Sequence, residues 1–339
     1  MNSFSTNDIS SAITPSLNIA VSEDSAPIQA DQPILTHLYF GDENHSSDNH
    51  LSIQTSLNVL GSSLFTQYWF TDNEVSQCKY KNVQYAFNQQ MLFGHIQLPC
   101  EDDASFITNS EHAYQEIFEC LKKEGCKHLL RTWNYFPAIT DKVNGHAHTN
   151  RYELFCSARI NAMQKCDINN EIYPAATVIG NQNKVLQVYF LASDTPGIAV
   201  ENPRQTSAYH YPIVETVKRP LFSRGILKVW GNRTHFYVSG TASIVGHQTL
   251  HVDDVCAQLN ESINNVETLV AHANDQHQTQ LNAQDDLLYM KVYIRHSKDV
   301  AQIKQVLAAR LSGTTPRILL LGDMCREDLL VEIEAFYQA

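Results

Sequence analysis

Two stretches more than a hundred residues apart read as copies of one another, and that duplication limits the fold more than any other feature of the chain. Tyr173-Pro174-Ala175-Ala176-Thr177-Val178-Ile179-Gly180 leads into Val185-Leu186-Gln187-Val188-Tyr189-Phe190. Thr315-Pro316-Arg317-Ile318-Leu319-Leu320-Leu321-Gly322 leads into Leu330-Val331-Glu332-Ile333-Glu334-Ala335-Phe336. Each is a proline, a β-prone apolar run, a glycine that breaks it, and a second β-prone run.

The elements before each pair also follow one order. In the second half Gly225–Trp230 and Thr234–Gly240 read as a hairpin, and residues 253–274 as an amphipathic helix carrying Val255, Leu259, Ile263, Val266 and Val270. A strand Leu287–Arg295 and a helix Val300–Leu311 precede Pro316. In the first half the expected counterparts are strands at Tyr68–Phe70 and Val83–Phe87, a helix His112–Lys123, a strand Leu129–Tyr135 and a helix from Asn150 to about Gln164. The expected fold is α/β (α+β): two similar domains, residues 33–205 and 206–339, each a mixed sheet with helices on one face. Residues 1–32, rich in Ser, Asn, Asp and Ala without a sustained period, read as a loose tail.

With 339 residues, 43% of them hydrophobic, the chain can bury two cores. Nothing in it reads as a signal peptide or a membrane span, so a cytoplasmic protein that does not engage a membrane is expected. Eight cysteines without a Cys-x-x-Cys pair suit reduced thiols. A net charge of −12 without a run of Lys and Arg argues against nucleic acid. An anionic substrate would be repelled by that overall charge, so arginines concentrated in one cleft would have to bind it. His146 and His148 form the one His-x-His, with no further ligand at metal spacing; a solvated loop is the default there.

The second half resembles the RidA/YjgF family, whose fold is chorismate mutase-like. Val238-Ser239-Gly240-Thr241-Ala242-Ser243, Asp254-Val255-Cys256-Ala257-Gln258, Pro316-Arg317 and Val331-Glu332-Ile333-Glu334 carry the likeness. It implies that Arg317 binds a substrate carboxylate. Further blocks, Arg131-Thr132-Trp133-Asn134-Tyr135-Phe136-Pro137, then Asn150-Arg151-Tyr152 with Phe155 and Arg159, then Glu201-Asn202-Pro203-Arg204-Gln205-Thr206-Ser207-Ala208-Tyr209, resemble the chorismatases, the FkbO-like enzymes once described as pteridine-dependent dioxygenases. That resemblance implies removal of the enolpyruvyl group of chorismate as pyruvate, without metal or organic cofactor. The remaining product is a hydroxybenzoate in some subclasses and a dihydrodiol in another.

Cleaving an enol ether calls for a general acid at its methylene carbon. The resemblance gives that role to Glu332, whose carboxyl must then be desolvated to stay protonated. A solvent-facing strand residue is what the sequence alone would favour. Arg151, Phe155 and Arg159 at spacing four can share a helical face, offering two guanidiniums to a dicarboxylate; an exposed basic face is the alternative. Arg317 and Arg224 are further carboxylate candidates. Tyr209 and Tyr152 are hydroxyl donors, with a core tyrosine an equal reading of Tyr152. Thr132 and Asn134 are as readily structural. The family pattern leads one to expect Gly where Ala158 stands. Gly240 and Cys325 are the small residues expected to bias the product toward 3-hydroxybenzoate, alone or with 4-hydroxybenzoate. The Cys325 thiol is not expected to be a nucleophile, because Asp323, Glu327 and Asp328 share its loop. Imine hydrolysis of the RidA kind is the competing activity. Two fused halves suit a monomer with one site.

Overall fold

The computed structural model describes residues 16–23, 31–41, 50–61, 65–143, 149–168, 172–212, 219–313 and 315–339. Five short strands open it: β1 (Leu17–Ser22), β2 (Ile34–Phe40), β3 (Ser52–Gln54), β4 (Asn58–Val59) and β5 (Phe65–Thr71). Four of them form a sheet in the order β1-β5-β2-β3. The segment expected as a loose tail therefore contributes a strand. Leu17 and Ile19 alternate with Asn18 and Ala20, and both are buried against β5, a period-two signal too short to register in a polar stretch. Tyr68–Phe70, expected in the first repeat, belongs to this additional sheet instead.

The first repeat begins with β6 (Ser76–Tyr80) and continues as β7 (Val83–Phe87), β8 (Met91–Pro99), α1 (Asp103–Glu124), β9 (His128–Pro137), α2 (Arg151–Lys165), β10 (Ala175–Asn181) and β11 (Val185–Ser193). The second runs through β12 (Ile198–Val200), β13 (Gly225–Trp230), β14 (Arg233–Val238), β15 (Thr241–Ala242), the hairpin β16 (Ile244–Val245) and β17 (Gln248–Thr249), α3 (Val255–His277), β18 (Leu287–Ile294), α4 (Val300–Arg310), β19 (Arg317–Leu321) and β20 (Val331–Gln338). The sheets are ordered β10-β9-β11-β8-β7-β6 and β12-β13-β14-β20-β18-β19-β4. Matched element by element, both place the last strand in the middle, antiparallel to its neighbours, and make the pair beyond it parallel. The copies thus share topology as well as sequence rhythm. Because β12 joins the second sheet, that sheet begins before residue 206.

Helix ends follow from local chemistry. Asp102 caps α1 in a reciprocal box with Ser105, and Gly125 closes it at φ 79°. The helix starts nine residues before the expected His112, its polar first turns having hidden the period. Asn150 and Glu153 form the same box on α2. One apolar core lies beneath α1 and α2 and another beneath α3 and α4. A third, containing Trp69, Trp133, Tyr189, Tyr293 and Phe336, fills the space where the sheets meet. The repeats are also joined through backbone. Gly180 and Asp323 exchange N–H···O bonds of 2.7 and 3.0 Å, and the Gly240 N–H donates to Ala176 at 3.0 Å. The eight thiols are free. No helix among the described residues is long and apolar enough to cross a membrane.

Candidate active site

Strand β20 alternates. Val331, Ile333 and Ala335 enter the core under α3, so Glu332, Glu334 and Phe336 face the first repeat. There Glu332 is 6% exposed, at the base of a cavity of about 600 Å³ between the repeats. Ala176 and Val178 of β10 and Tyr152, Cys156 and Arg159 of α2 line one side; Arg224, Gly240, Ala242, Cys325 and Arg326 come from the second repeat.

Burial, then the negative charge of Glu334, pushes Glu332 up to about 8, against the pull of Arg131 and Arg224. Its protonated form therefore persists at neutral pH, as a general acid needs. Gly240 makes room for it: a Cβ at that position would overlap Oε1 and stand 3.0 Å from the carboxyl carbon. The neighbouring β15 fixes the register, with Ala242 opposite Glu332.

Glu334, two residues on, is held quite differently. Its oxygens accept from Arg131 Nη2 (2.9 Å), Trp133 Nε1 (2.9 Å), Thr177 Oγ1 (2.8 Å), Tyr293 Oη (2.7 Å) and Lys291 Nζ (2.9 Å). Burial alone would raise it, but Lys291, Arg131 and these donors bring it down to about 2. One strand face thus carries an acid kept protonated and a carboxylate kept ionised, a separation set by environment.

Three guanidiniums reach the cavity. Arg159 lies over the Tyr114 ring with one 3.4 Å bond to the Leu221 carbonyl, and its buried Nε has no partner. Arg224 donates to the Thr206 carbonyl and to Tyr211 Oη, and its Nε is likewise unpartnered. Arg326 donates to the His247 carbonyl and Thr249 Oγ1. None of the three pairs with a carboxylate among the described residues, which leaves their charge for an anionic ligand.

Tyr152 lines the cavity, its hydroxyl held well above the usual phenol range by burial and by the neighbouring thiols and Glu332. Burial, then Glu332, pushes the Cys325 thiol up to about 12, so it is neutral; the loop acids expected to cause this are not the main influence.

The other expected residues lie elsewhere. Arg151 is turned to α1, paired with Asp103 at 2.8 Å and bonded to the Pro137 carbonyl, while Phe155 is core; the cavity face of α2 is Tyr152, Cys156 and Arg159 at i, i+4, i+7. Tyr209 packs on Tyr173, and Tyr211 takes the place in the cavity wall. Arg317 is remote from Glu332: its guanidinium donates to the Leu307 and Ser312 carbonyls at the end of α4. It borders a smaller cavity of about 340 Å³, with Lys304 and Leu307 of α4 and Leu319 of β19. That cleft occupies the position in the second repeat that the α2/β10 wall occupies in the first. Thr132 and Asn134 bond to each other, and Arg204 pairs with Glu261, all outside the cavity wall. His146 and His148 fall outside the described residues. Reading the sequence missed Tyr211, Phe222, Arg326, Arg131, Lys291 and the role of Glu334. Arg131 and Glu334 stand in the quoted motifs, but their meeting across the repeats is a tertiary fact.

The family model "Chorismatase FkbO/Hyg5-like, N-terminal" matches residues 67–192. A 3-hydroxybenzoate synthase of Streptomyces hygroscopicus is 31% identical over 278 residues, 80% of each chain. A chorismatase of the same species is 31% identical over 274 residues, 80% of this chain and 78% of the other. A crystal structure of a chorismatase superposes with a TM-score of 0.83 at 26% identity, covering 96% of this chain and 99% of that one. A likeness of that extent, with an acid-lined and arginine-lined cavity between two repeats, places the chain in the chorismatase family.

Proposed function

We propose that the chain cleaves the enolpyruvyl ether of chorismate, giving pyruvate and 3-hydroxybenzoate, alone or with 4-hydroxybenzoate. The observation that carries this reading is the buried, proton-retaining Glu332 facing a cavity with three guanidiniums unpaired to carboxylates. Chorismate brings two carboxylates for those arginines. Glu332 then donates its proton to the methylene carbon; the enol ether π electrons form the new C–H bond, which becomes part of the methyl group of pyruvate, and the weakened ether link breaks. The electrons of the ring carbon–oxygen bond complete the pyruvate carbonyl, and the ring 4-hydroxyl oxygen closes on the vacated carbon as an epoxide, losing its proton. Protonated reopening at position 4 and loss of the ring proton at position 3 give 3-hydroxybenzoate, whereas direct loss of the proton at position 4 gives 4-hydroxybenzoate. Pyruvate and hydroxybenzoate together contain every atom of chorismate, so that outcome consumes no water, whereas the dihydrodiol requires one. Tyr152 and the neutral Cys325 thiol border the same space and are suited to polarise a ring oxygen. Gly240 keeps the floor open beside the acid.

Both walls of the site come from one chain, which supports a monomer working on a free small molecule. RidA-like imine hydrolysis needs Arg317 beside Glu332, and their separation removes its support. The test is purified protein with chorismate, following pyruvate and chromatographing the aromatic product. Pyruvate release with 3-hydroxybenzoate is expected; no pyruvate, or Glu332→Gln retaining full turnover, overturns the reading.

A further inference from the structure

The polar groups around Glu334 do not touch the cavity ligand space, yet they are costly to bury. Arg131, Lys291 and Glu334 are each at most 2% exposed. Lys291 and Glu334 form part of a closed ring of hydrogen bonds between the repeats, to which Arg131 is attached through Glu334. From Glu334 it runs to Tyr293 (2.7 Å), to Tyr135 (3.3 Å), to Tyr189 (2.9 Å), to Lys291 (3.4 Å) and back to Glu334 (2.9 Å). If such a network served only to hold the repeats together, apolar side chains of similar volume would do as well or better. Aromatic packing already fills the surrounding core.

We propose that Glu334 is a positioning residue: a carboxylate locked in its ionised form two residues from Glu332 on the same strand face, whose fixed negative charge keeps the acid protonated until substrate arrives. The inference rests on Glu332 being the acid. Five donors converge on Glu334, whereas none of the described residues donates a hydrogen bond to Glu332. Of the two carboxyls, Glu332 is therefore the one that holds a proton. Because Glu334 is pinned from both repeats, by Arg131, Trp133 and Thr177 on one side and Lys291 and Tyr293 on the other, its charge does not move away as the cavity fills. Arg131 has a double part: it neutralises Glu334 and, through its own charge, favours ionised Glu332.

Other groups facing Glu332 are few in kind. From α2 come Tyr152, Glu153, Cys156 and Arg159, with Glu153 accepting from the Asn150 N–H at the helix cap; from the residue just before β13, Arg224; from the segment ahead of it, Tyr211; from the loop ahead of β20, Cys325, Arg326, Glu327 and Asp328. Tyr152 and both thiols are neutral at working pH. Arg224, like Arg131, pulls toward ionisation and so acts against protonation of Glu332. Asp328 accepts from Thr249, and Glu327 is exposed at the mouth. Glu334 is the buried anion that opposes the arginines.

The test is the pH profile of kcat/KM for chorismate in three proteins, with pyruvate as readout. The free enzyme's acid sets the alkaline limb of that profile. Wild type should lose activity on the alkaline side near pH 8, not in the ordinary carboxylate range. Glu334→Gln should move that limb to lower pH by about one unit or more, and Arg131→Gln should move it to higher pH. A purely structural role would lower activity or stability in both without shifting the limb in opposite directions. Limbs that stay in place, or move the same way, overturn the proposal, as does a wild-type limb near pH 5. Should either variant not fold, the wild-type limb and the direction of the other decide. Glu332→Gln separates the two levels: inactivity at every pH with unmoved limbs in the other variants removes the role of Glu334 alone, whereas retained activity removes the acid itself.

Discussion

Gly240 and Glu332 cannot both keep their places if residue 240 carries a side chain, because a Cβ there overlaps Glu332 Oε1. The group displaced is the end of a flexible side chain, so the fold tolerates the change while the acid moves. Gly240→Ala should leave the thermal midpoint nearly unchanged and lower turnover. Combined with Cys325→Ala it should turn the aromatic product toward the dihydrodiol, as read by chromatography. An unaltered product ratio would dissociate this corner of the cavity from product choice.

Arg159 and Arg224 each present a buried, unpartnered Nε and pair with no carboxylate among the described residues. Replacing Arg159 with Met should reduce kcat/KM roughly 10–100-fold, the value of one charge-assisted contact to a substrate carboxylate, with KM taking most of the change. Lysine at 159 should restore little, since a point charge does not reproduce a fork.

Arg317 offers the opposite expectation. Its two carbonyl contacts tie the end of α4 to the start of β19. Arg317→Met should cost about 1–2 kcal/mol of stability by chemical denaturation. Turnover of chorismate should stay at the wild-type level; a raised KM would place this residue in substrate binding after all.

Stability should fall away on both sides of neutrality. His37 and His235 are buried and pushed down to about 3, chiefly by desolvation. Unfolding lets them take protons at their ordinary 6.5, so their contribution is present above that pH and is lost as pH falls toward 3. Glu332 works in the other direction: its raised value stabilises the fold below about 4.5, and that contribution is lost as pH rises through 8. Melting midpoints from pH 5 to 9 should trace a dome, and His235→Leu should flatten its acid side.

The duplicated topology was legible because the repeat spacing is local in sequence, and the family motifs, local too, singled out Glu332, which the fold buries at the cavity. Side-chain direction was less so. Arg151 and Arg159 share a helix but not an environment: eight residues of rotation, and Asp103 waiting on α1, send them apart. Arg317 matched its motif while facing a cleft the motif does not describe. Tyr211 lies two residues from the expected Tyr209, and a short turn reverses which ring meets the cavity. Arg131 and Glu334, 203 positions apart, meet only once the sheets have packed. Strand β1 was hidden in a polar segment whose apolar residues are recognisable only beside β5.

The two repeats offer equivalent clefts, yet one holds the cavity of Glu332 and the other is braced by Arg317. In a ring of identical subunits each substitution appears in every copy of an interface at once, so improving one site alters all of them. Covalent fusion lifts that constraint. Here Ala175 stands in the core where the sister strand has Arg317, so only the second copy carries a structural clasp at that position. The two halves are thereby free to differ, one contributing the α2 and β10 wall of the cavity and the other the strand that bears Glu332.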